Sequence, residues 1–315
     1  MTTAFVFPGQ GSQSLGMLAD FAGVAEVDDT FAAAAEVLGY DLWEVTQHGP
    51  RERLDQTECT QPAMLTAGVA LWRAWRARGG NLPQAMAGHS LGEYTALVCS
   101  GALDFSTAVG LVRFRGRAMQ EAVPAGSGAM AAVLGLDDAA VEAACVAAAS
   151  ATEVVEAVNF NAPGQVVIAG HATAVERAIE AARASGARRA IRLPVSVPSH
   201  SSLMIPAAQR LREKLENIEL KQPEIPSVYT VGLNKHTEPE QIRSNLVEQL
   251  HSPVRWADTI RKMAADDRVT HIIECGPGKV LSGLNRRIDR KLTSLGVFDR
   301  ESLGAAVANV ENEDG

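Results

Sequence analysis

The chain has 315 residues, of which 46% are hydrophobic and 21% charged, and its formal net charge is −8. This length allows one large domain or two modest ones, and the acidic balance argues against a general nucleic-acid-binding protein. The N-terminus has neither a basic start nor an apolar segment, and no later run could span a bilayer, so we expect a cytoplasmic protein without membrane contact.

The cysteines are widely scattered and include no CxxC pair. This arrangement is typical of reduced core residues in an intracellular protein. We therefore expect neither a disulfide nor a metal site among Cys59, Cys99, Cys145 and Cys275.

Short β-type runs alternate with helical stretches from the N-terminus onward. The patterns predict a buried strand at residues 5–7, an apolar helix at 60–78, a second strand at 85–87 and a helix at 91–100. This alternation predicts an α/β fold with a mostly parallel sheet.

The pattern changes after residue 124, where Gly126-Ser127-Gly128 predicts a flexible joint. The next segment has the order βαββαβ, which predicts a ferredoxin-like unit. Its predicted elements are strands at 129–134, 154–158, 166–169 and 190–193, helices at 137–149 and 173–184, and an Asn-rich loop at 159–164. We interpret residues 125–195 as a small domain inserted into a large α/β-hydrolase-like domain, which residues 1–124 and 196–315 form.

Gly88-His89-Ser90-Leu91-Gly92 lies between the predicted strand at 85–87 and the helix that follows it. A G-x-S-x-G sequence at such a bend exposes its serine on a tight turn, where glycines allow close backbone contact. The serine then lies at a helix N-terminus, where the amide of Leu91 can stabilise an oxyanion. The pattern indicates a nucleophilic serine; the alternative is a chance motif in which Ser90 is an N-cap.

A nucleophilic serine needs a base, and the chain contains 7 histidines. His89 neighbours Ser90 but leaves the turn in a different direction, which makes it a poor base. His200, in a serine-rich segment after the predicted insert, is the candidate base; the alternative is a solvated loop histidine. An α/β-hydrolase places its histidine close to the C-terminus, so the position of His200 argues against a hydrolase.

The pattern of residues 108–119 predicts an amphipathic helix. Arg113 and Arg117 share one face of this helix, whereas Arg115 lies among apolar residues. Burying an unpaired guanidinium is costly, so Arg115 needs an anionic partner. We predict either a structural salt bridge or a clamp for a substrate carboxylate, which the planar fork of arginine suits.

Several motifs occur together in the order that one known family has. They are Phe-Pro-Gly-Gln-Gly-Ser-Gln at 7–13, Gly-His-Ser-Leu-Gly-Glu-Tyr at 88–94, Arg-Gly-Arg-Ala-Met-Gln at 115–120, Val-Asn-Phe-Asn at 158–161, Val-Pro-Ser-His at 197–200 and Gly-Pro-Gly-Lys-Val-Leu at 276–281. Through them, the chain resembles the malonyl-CoA:acyl-carrier-protein transacylases of bacterial type II fatty-acid synthesis over essentially its full length.

The resemblance implies a ping-pong acyltransferase that moves a malonyl group from malonyl-CoA, through an ester on a serine, to the phosphopantetheine thiol of acyl carrier protein. The site that it implies consists of the nucleophile Ser90, the base His200, the oxyanion-hole amides of Gln10 and Leu91, the carboxylate-binding Arg115, the histidine-orienting carbonyl of Gln249, and the pocket residues Met119, Asn159, Asn161 and Ser199.

We expect no permanently bound cofactor, because coenzyme A is part of the substrate. The spacing of Gly9, Gly11 and Gly16 does not match a dinucleotide-binding loop. We also expect a monomer that meets the acidic acyl carrier protein. Arg286 and Arg287, in a basic cluster, are the predicted docking residues; the alternative is an ordinary solvated helix face.

Other functions remain open from the sequence. They are a serine hydrolase or thioesterase acting on acyl-CoA, the acyltransferase subunit of malonate decarboxylase, and a non-catalytic acyl-binding subunit. Ser199 resembles a residue of methylmalonyl-selective relatives, so the preference among malonyl, methylmalonyl and acetyl groups is also open.

Overall fold

A computed structural model describes residues 2–195 and 197–314 of the chain. The strands are β1 Thr3–Phe7, β2 Ala85–Gly88, β3 Gly128–Leu134, β4 Val155–Ala162, β5 Gln165–His171, β6 Arg189–Arg192, β7 Ser227–Val228, β8 His271–Cys275 and β9 Thr293–Val297. The α-helices are α1 Ala25–Leu38, α2 Leu42–His48, α3 Arg51–Leu54, α4 Thr57–Ala77, α5 Gly92–Cys99, α6 Phe105–Glu121, α7 Asp138–Ala148, α8 Ala172–Ala184, α9 Ile205–Leu215, α10 Pro239–Glu248, α11 Trp256–Asp266, α12 Val280–Ile288 and α13 Arg300–Asp314. Short 3-10 helices span Ala19–Phe21, Ser202–Met204 and Gln249–His251.

The larger sheet is parallel throughout and has the strand order β7-β2-β1-β8-β9. Side chains of β1 alternate between its faces: Phe5 and Phe7 join one core with residues of α4 and α5, while Ala4 and Val6 join another with residues of α11 and α12. Strands that are apolar on both sides are typical of a parallel sheet covered by helices on both faces. The predicted α/β fold with a mostly parallel sheet is confirmed.

The smaller sheet is antiparallel and has the strand order β4-β5-β3-β6. Helices α7 and α8 share a core with one face of this sheet, and Asp137 caps α7 by accepting a hydrogen bond of 2.8 Å from the Ala140 amide. The element order βαββαβ agrees with the predicted ferredoxin-like unit. The exact limits 1–124, 125–195 and 196–315 stay a prediction, and residues 1, 196 and 315 lie outside the described residues.

The predicted Asn-rich loop at 159–164 is wrong. Strand β4 continues to Ala162, so only Pro163 and Gly164 separate it from β5. The segment stays extended because its backbone is paired on both sides, with β5 and with Val254. The Phe160 amide donates to the Val254 carbonyl at 2.9 Å, and the Val254 amide donates to the Val158 carbonyl at 2.8 Å.

Two helices that carry site residues begin earlier than predicted. Helix α4 starts at Thr57 and α6 at Phe105, where Asp104 caps the helix by accepting a bond of 2.9 Å from the Thr107 amide. The predicted joint is shorter than expected because Gly128 already begins β3. In the part of the chain that the structure describes, no helix is long and apolar enough to cross a membrane.

Candidate active site

Ser90 occupies the tight turn between β2 and α5. Its φ angle is +54°, in the left-handed region that non-glycine residues seldom adopt. A Cβ atom at Gly88 would lie 1.9 Å from the carbonyl carbon of Gly92, and one at Gly92 would lie 2.0 Å from the carbonyl oxygen of Phe7. The two glycines of the motif are therefore required by close packing of strand, turn and helix, as the pattern predicts.

His200 contacts the Ser90 hydroxyl. Its Nε2 lies 2.8 Å from Ser90 Oγ, and its Nδ1 lies 2.7 Å from the carbonyl oxygen of Gln249. A carbonyl oxygen can only accept, so Nδ1 carries the proton of the neutral ring and Nε2 is free to accept one from serine. Burial, together with the charge of Arg115, lowers the pKa of His200 to about 3, which keeps the ring neutral.

His89 does not bond to Ser90, in agreement with the sequence-based prediction. Its Nε2 lies 2.8 Å from Asn161 Oδ1, and its ring packs against Trp256 with centroids 5.5 Å apart. Burial lowers the pKa of His89, so this ring is neutral too. Asn161 thus lies behind His89 and does not line the cavity described below.

The guanidinium of Arg115 is buried beside the nucleophile, with only 1% of the residue exposed. Its Nη2 donates to Gln249 Oε1 at 2.9 Å and to Ser90 Oγ at 3.3 Å. Among the described residues, no carboxylate forms an ion pair with it, and its Nε has no hydrogen-bond partner. The structural salt bridge, one of the two predicted alternatives, is therefore not formed there.

A cavity of about 480 Å³ lies over these groups, within the size range of small-molecule sites. The predicted site residues that line it are Gln10, Ser90, Leu91, Arg115, Met119, Asn159, Ser199 and His200. Met130 and Asn159 reach it from the smaller sheet, whereas Ser90 reaches it from the turn after β2 and Arg115 from α6. The cavity therefore lies between the two sheets.

The backbone amides of Gln10 and Leu91 come from the ends of two adjacent strands, because β1 pairs in parallel with β2. A hydrogen bond of 2.9 Å from the His89 amide to the Phe7 carbonyl joins the two loops. Within residues 2–195 and 197–314, neither amide has a hydrogen-bond partner. Two free N–H groups beside a nucleophile are what an oxyanion hole requires.

Besides Asn161, three predicted site residues lie away from the cavity wall. Gln249 is fully buried behind Arg115 and His200 and touches both. Arg286 and Arg287 are exposed in the last turn of α12. Their side chains bond to the protein itself, Arg286 to the Ser294 carbonyl at 3.1 Å and Arg287 to the Pro163 carbonyl at 3.3 Å.

Gln61 is a cavity residue that the sequence patterns did not indicate. It lies on α4 with no exposed surface, and its Nε2 lies 3.5 Å from Met119 Sδ. Its Oε1 has no hydrogen-bond partner among the described residues. The available signal was the one that marks Arg115, a polar side chain within an otherwise apolar stretch of helix.

The fold and the contact between Ser90 and His200 are those of α/β enzymes that use a nucleophilic serine. Within residues 2–195 and 197–314, no group of three or more His, Cys, Asp or Glu side chains could hold a metal ion. The chain belongs to the acyl transferase domain family, whose match covers residues 4–304.

Proteins of one named activity are similar to this chain over nearly its whole length. The malonyl CoA-acyl carrier protein transacylase of Escherichia coli K12 is 55% identical over 305 residues, which cover 96% of this chain and 98% of that protein. The structure of the transacylase of the same name from Coxiella burnetii has a TM-score of 0.96 at 50% identity, covering 98% of this chain and 97% of that one. A malonyl-transacylase solved in complex with a type II polyketide acyl-carrier protein has a TM-score of 0.96 at 51% identity, covering 98% and 100%.

Proposed function

We propose that this protein transfers a malonyl group from malonyl-CoA to the phosphopantetheine thiol of an acyl carrier protein, through a malonyl ester on Ser90. One observation carries the proposal: Ser90 Oγ lies 2.8 Å from a neutral imidazole and 3.3 Å from a buried guanidinium without a paired carboxylate. The first group suits activation of the hydroxyl, and the second suits a substrate that ends in a carboxylate. The similarity to named malonyl transacylases supports the same substrate.

In the first half-reaction, Ser90 Oγ attacks the thioester carbonyl and His200 Nε2 takes the hydroxyl proton. The carbonyl oxygen becomes an oxyanion, which the amides of Gln10 and Leu91 stabilise. Collapse of the tetrahedral intermediate breaks the carbon–sulfur bond, and His200 returns the proton to the sulfur of coenzyme A. The Gln249 carbonyl keeps the Nδ1–H of the imidazolium hydrogen-bonded in this step.

In the second half-reaction, the thiol of the carrier protein takes the place of coenzyme A. His200 removes its proton, the sulfur attacks the malonyl ester, and the proton passes to the departing Ser90 oxygen. Arg115 holds the free carboxylate throughout, and Met119, Asn159 and Ser199 line the space around the acyl group. The bound acyl group and carrier exclude water, which would otherwise release malonate.

The proposal extends to the location, oligomeric state and carrier-protein docking of the enzyme. We propose a cytoplasmic monomer that needs no permanently bound cofactor and supplies malonyl groups for fatty-acid synthesis. Arg286 and Arg287 are proposed to dock the acidic carrier protein, since both are exposed and positively charged.

The test uses radiolabelled malonyl-CoA and holo-acyl carrier protein. We expect the label to move to the carrier protein, and mass spectrometry of the enzyme alone to find one malonyl adduct on Ser90. Ser90→Ala should abolish both the adduct and the transfer, because it removes the hydroxyl oxygen that forms the ester.

The controls separate transfer from hydrolysis. Ser100→Ala removes another buried serine hydroxyl, which bonds at 3.2 Å to the Leu97 carbonyl, and it should leave transfer intact. Apo-carrier protein, which lacks the thiol, should accept no label. Release of free malonate and coenzyme A with an unlabelled carrier protein would identify a thioesterase and overturn the proposal.

A further inference from the structure

Glu93 is a buried carboxylate three residues after the nucleophile, and the proposed chemistry does not use it. Only 2% of the residue is exposed. Its Oε1 accepts from the Thr230 amide at 2.8 Å and from the Thr230 hydroxyl at 2.7 Å. Its Oε2 accepts from Gln249 Nε2 at 2.6 Å and from Asn245 Nδ2 at 3.2 Å. Burial raises the pKa of Glu93 to about 7, whereas the hydrogen bonds that Thr230 and Gln249 donate and the charge of Arg115 act in the opposite direction and favour the ionised carboxylate.

The side chain of Gln249 connects Glu93 to Arg115. Its Nε2 donates to Glu93 Oε2 and, at 2.9 Å, to the Ser90 carbonyl, while its Oε1 accepts from Arg115 Nη2 at 2.9 Å. The opposite orientation of the amide would place Oε1 against two acceptors and Nε2 against a guanidinium donor. The orientation of Gln249 is thus fixed by Glu93, Ser90 and Arg115 together.

The charges in this region also link Glu93 to Arg115. Arg115 is buried, and the groups that its Nη2 contacts, an amide oxygen and a hydroxyl, are neutral. Burial lowers the pKa of Arg115, and two groups act in the opposite direction: Tyr94, whose ring centroid lies 5.4 Å from the guanidinium carbon, and Glu93, which lies one amide group away. Unlike a direct ion pair, this arrangement leaves Arg115 available for a second anion in the cavity.

We propose that Glu93 is a positioning residue for malonyl recognition: through the side-chain amide of Gln249 it holds the Arg115 guanidinium charged and facing the substrate carboxylate. This inference rests on the proposed function, because it requires Arg115 to bind the malonyl carboxylate. Glu93 itself touches no substrate, since it does not line the cavity.

Glu93→Gln tests the proposal, because it keeps the shape of the side chain and removes the charge. It also places an NH₂ group against donors, so the Gln249 amide loses its fixed orientation. We expect the kcat/KM for malonyl-CoA to fall by about tenfold or more, mostly through KM, because a binding contact is weakened. The kcat/KM for acetyl-CoA, which has no carboxylate to bind, should fall by less than about threefold.

A double-mutant cycle with Arg115→Ala distinguishes positioning from a general structural role. If Glu93 acts through Arg115, adding Glu93→Gln to Arg115→Ala should change the malonyl kcat/KM by less than about threefold. A structural role would give additive losses on malonyl-CoA and equal losses on acetyl-CoA.

Glu274→Gln is the matched control. Glu274 is also a fully buried carboxylate that accepts hydrogen bonds, from the Leu281 amide at 3.0 Å and the Ser282 amide at 2.7 Å, but it does not line the cavity. This variant is expected to lose thermal stability and to keep the malonyl-to-acetyl ratio of the native enzyme. If folded Glu93→Gln has the malonyl-to-acetyl ratio of the native enzyme, the inference about Glu93 is overturned, and transfer by the native enzyme still supports the proposed function. If the native enzyme transfers no malonyl group to the carrier protein, the proposed function itself is overturned.

Discussion

Ser90 and His200 both have a left-handed backbone conformation, with φ angles of +54° and +66°. A left-handed conformation costs a non-glycine residue roughly 1–2 kcal/mol, so surrounding contacts must hold it. The His89 amide bonds to the Phe7 carbonyl at 2.9 Å, and the His200 amide bonds to the Leu250 carbonyl at 3.0 Å. Backbone bonds to separate elements therefore preorganise the contact between hydroxyl and imidazole.

Arg115→Ala is expected to change the choice of substrate. Removal of the guanidinium deletes about 3 kcal/mol of charge-assisted hydrogen bonding to the carboxylate, so the kcat/KM for malonyl-CoA should fall by about a hundredfold. Acetyl-CoA should lose far less, and its relative rate should rise. Both values are measured by steady-state transfer to the carrier protein.

Arg113→Ala is the control for this prediction. It removes a guanidinium from the same helix, α6. Arg113 does not line the cavity, and its Nη1 donates to the Leu38 carbonyl at 3.0 Å. Its malonyl-to-acetyl ratio should equal that of the native enzyme. Equal losses on both substrates in Arg115→Ala would mean that Arg115 only supports the fold.

Sequence patterns could predict the residues whose local surroundings are unusual. Ser90 lies in a strand–turn–helix motif, and Arg115 is a charge on an apolar helix face, so both can be recognised from their neighbours. Glu93 could not be predicted in the same way, because its role depends on Gln249, 156 positions away in the chain. Contacts of that separation are created only by the packing of elements.

The hairpin β4–β5 is an element that local sequence patterns did not predict correctly. Asparagine is depleted in strands, so Asn159 and Asn161 favoured a loop in the local pattern. Pairing with β5 and with Val254 supplies hydrogen bonds to the backbone on both sides and overrides that preference. As a result, Asn159 lines the cavity from a paired strand rather than from a loop.

Helix α12 provides the prediction at this scale. Charge reversal by Arg286→Glu or Arg287→Glu should raise the KM for carrier protein several-fold and leave malonyl-enzyme formation from malonyl-CoA unchanged. The physical reason is loss of attraction to an acidic partner, so the difference from native enzyme should shrink at high salt. Steady-state kinetics at two ionic strengths measure both effects.

Arg188→Glu makes the same charge change at an exposed position before β6 and serves as the control. Arg287 also donates to the Pro163 carbonyl, in the turn of the hairpin, so Arg287→Glu is expected to lose some thermal stability. The melting temperature of each variant is therefore measured together with its kinetics. A KM for carrier protein that stays at the native value in both variants would show that these arginines form only a solvated helix face, a common arrangement at the C-terminus of a helix.

At the scale of the whole molecule, the smaller sheet completes the site. One of its faces packs on α7 and α8, and the other carries Met130, Val158, Val167 and Ala169, of which Met130 lines the cavity. The order of elements predicts such an insert, but not which face it turns toward Ser90. That orientation depends on long-range contacts such as the pairing of Asn159 with Val254, which no local pattern encodes.

The pH dependence of folding offers a test of the buried base. The folded protein holds the pKa of His200 near 3, whereas an unfolded histidine titrates near its usual value of 6.5. Between these values the unfolded chain binds a proton that the folded chain does not, so acid destabilises the fold by about 1.4 kcal/mol per pH unit from this residue. His200→Ala should therefore lose less unfolding free energy than native protein between pH 7 and pH 5, measured by urea denaturation. His48→Ala, at an exposed histidine, is the control. If unfolding free energy falls with pH equally steeply in native protein and in His200→Ala, then His200 is protonated in the folded state as readily as in the unfolded chain.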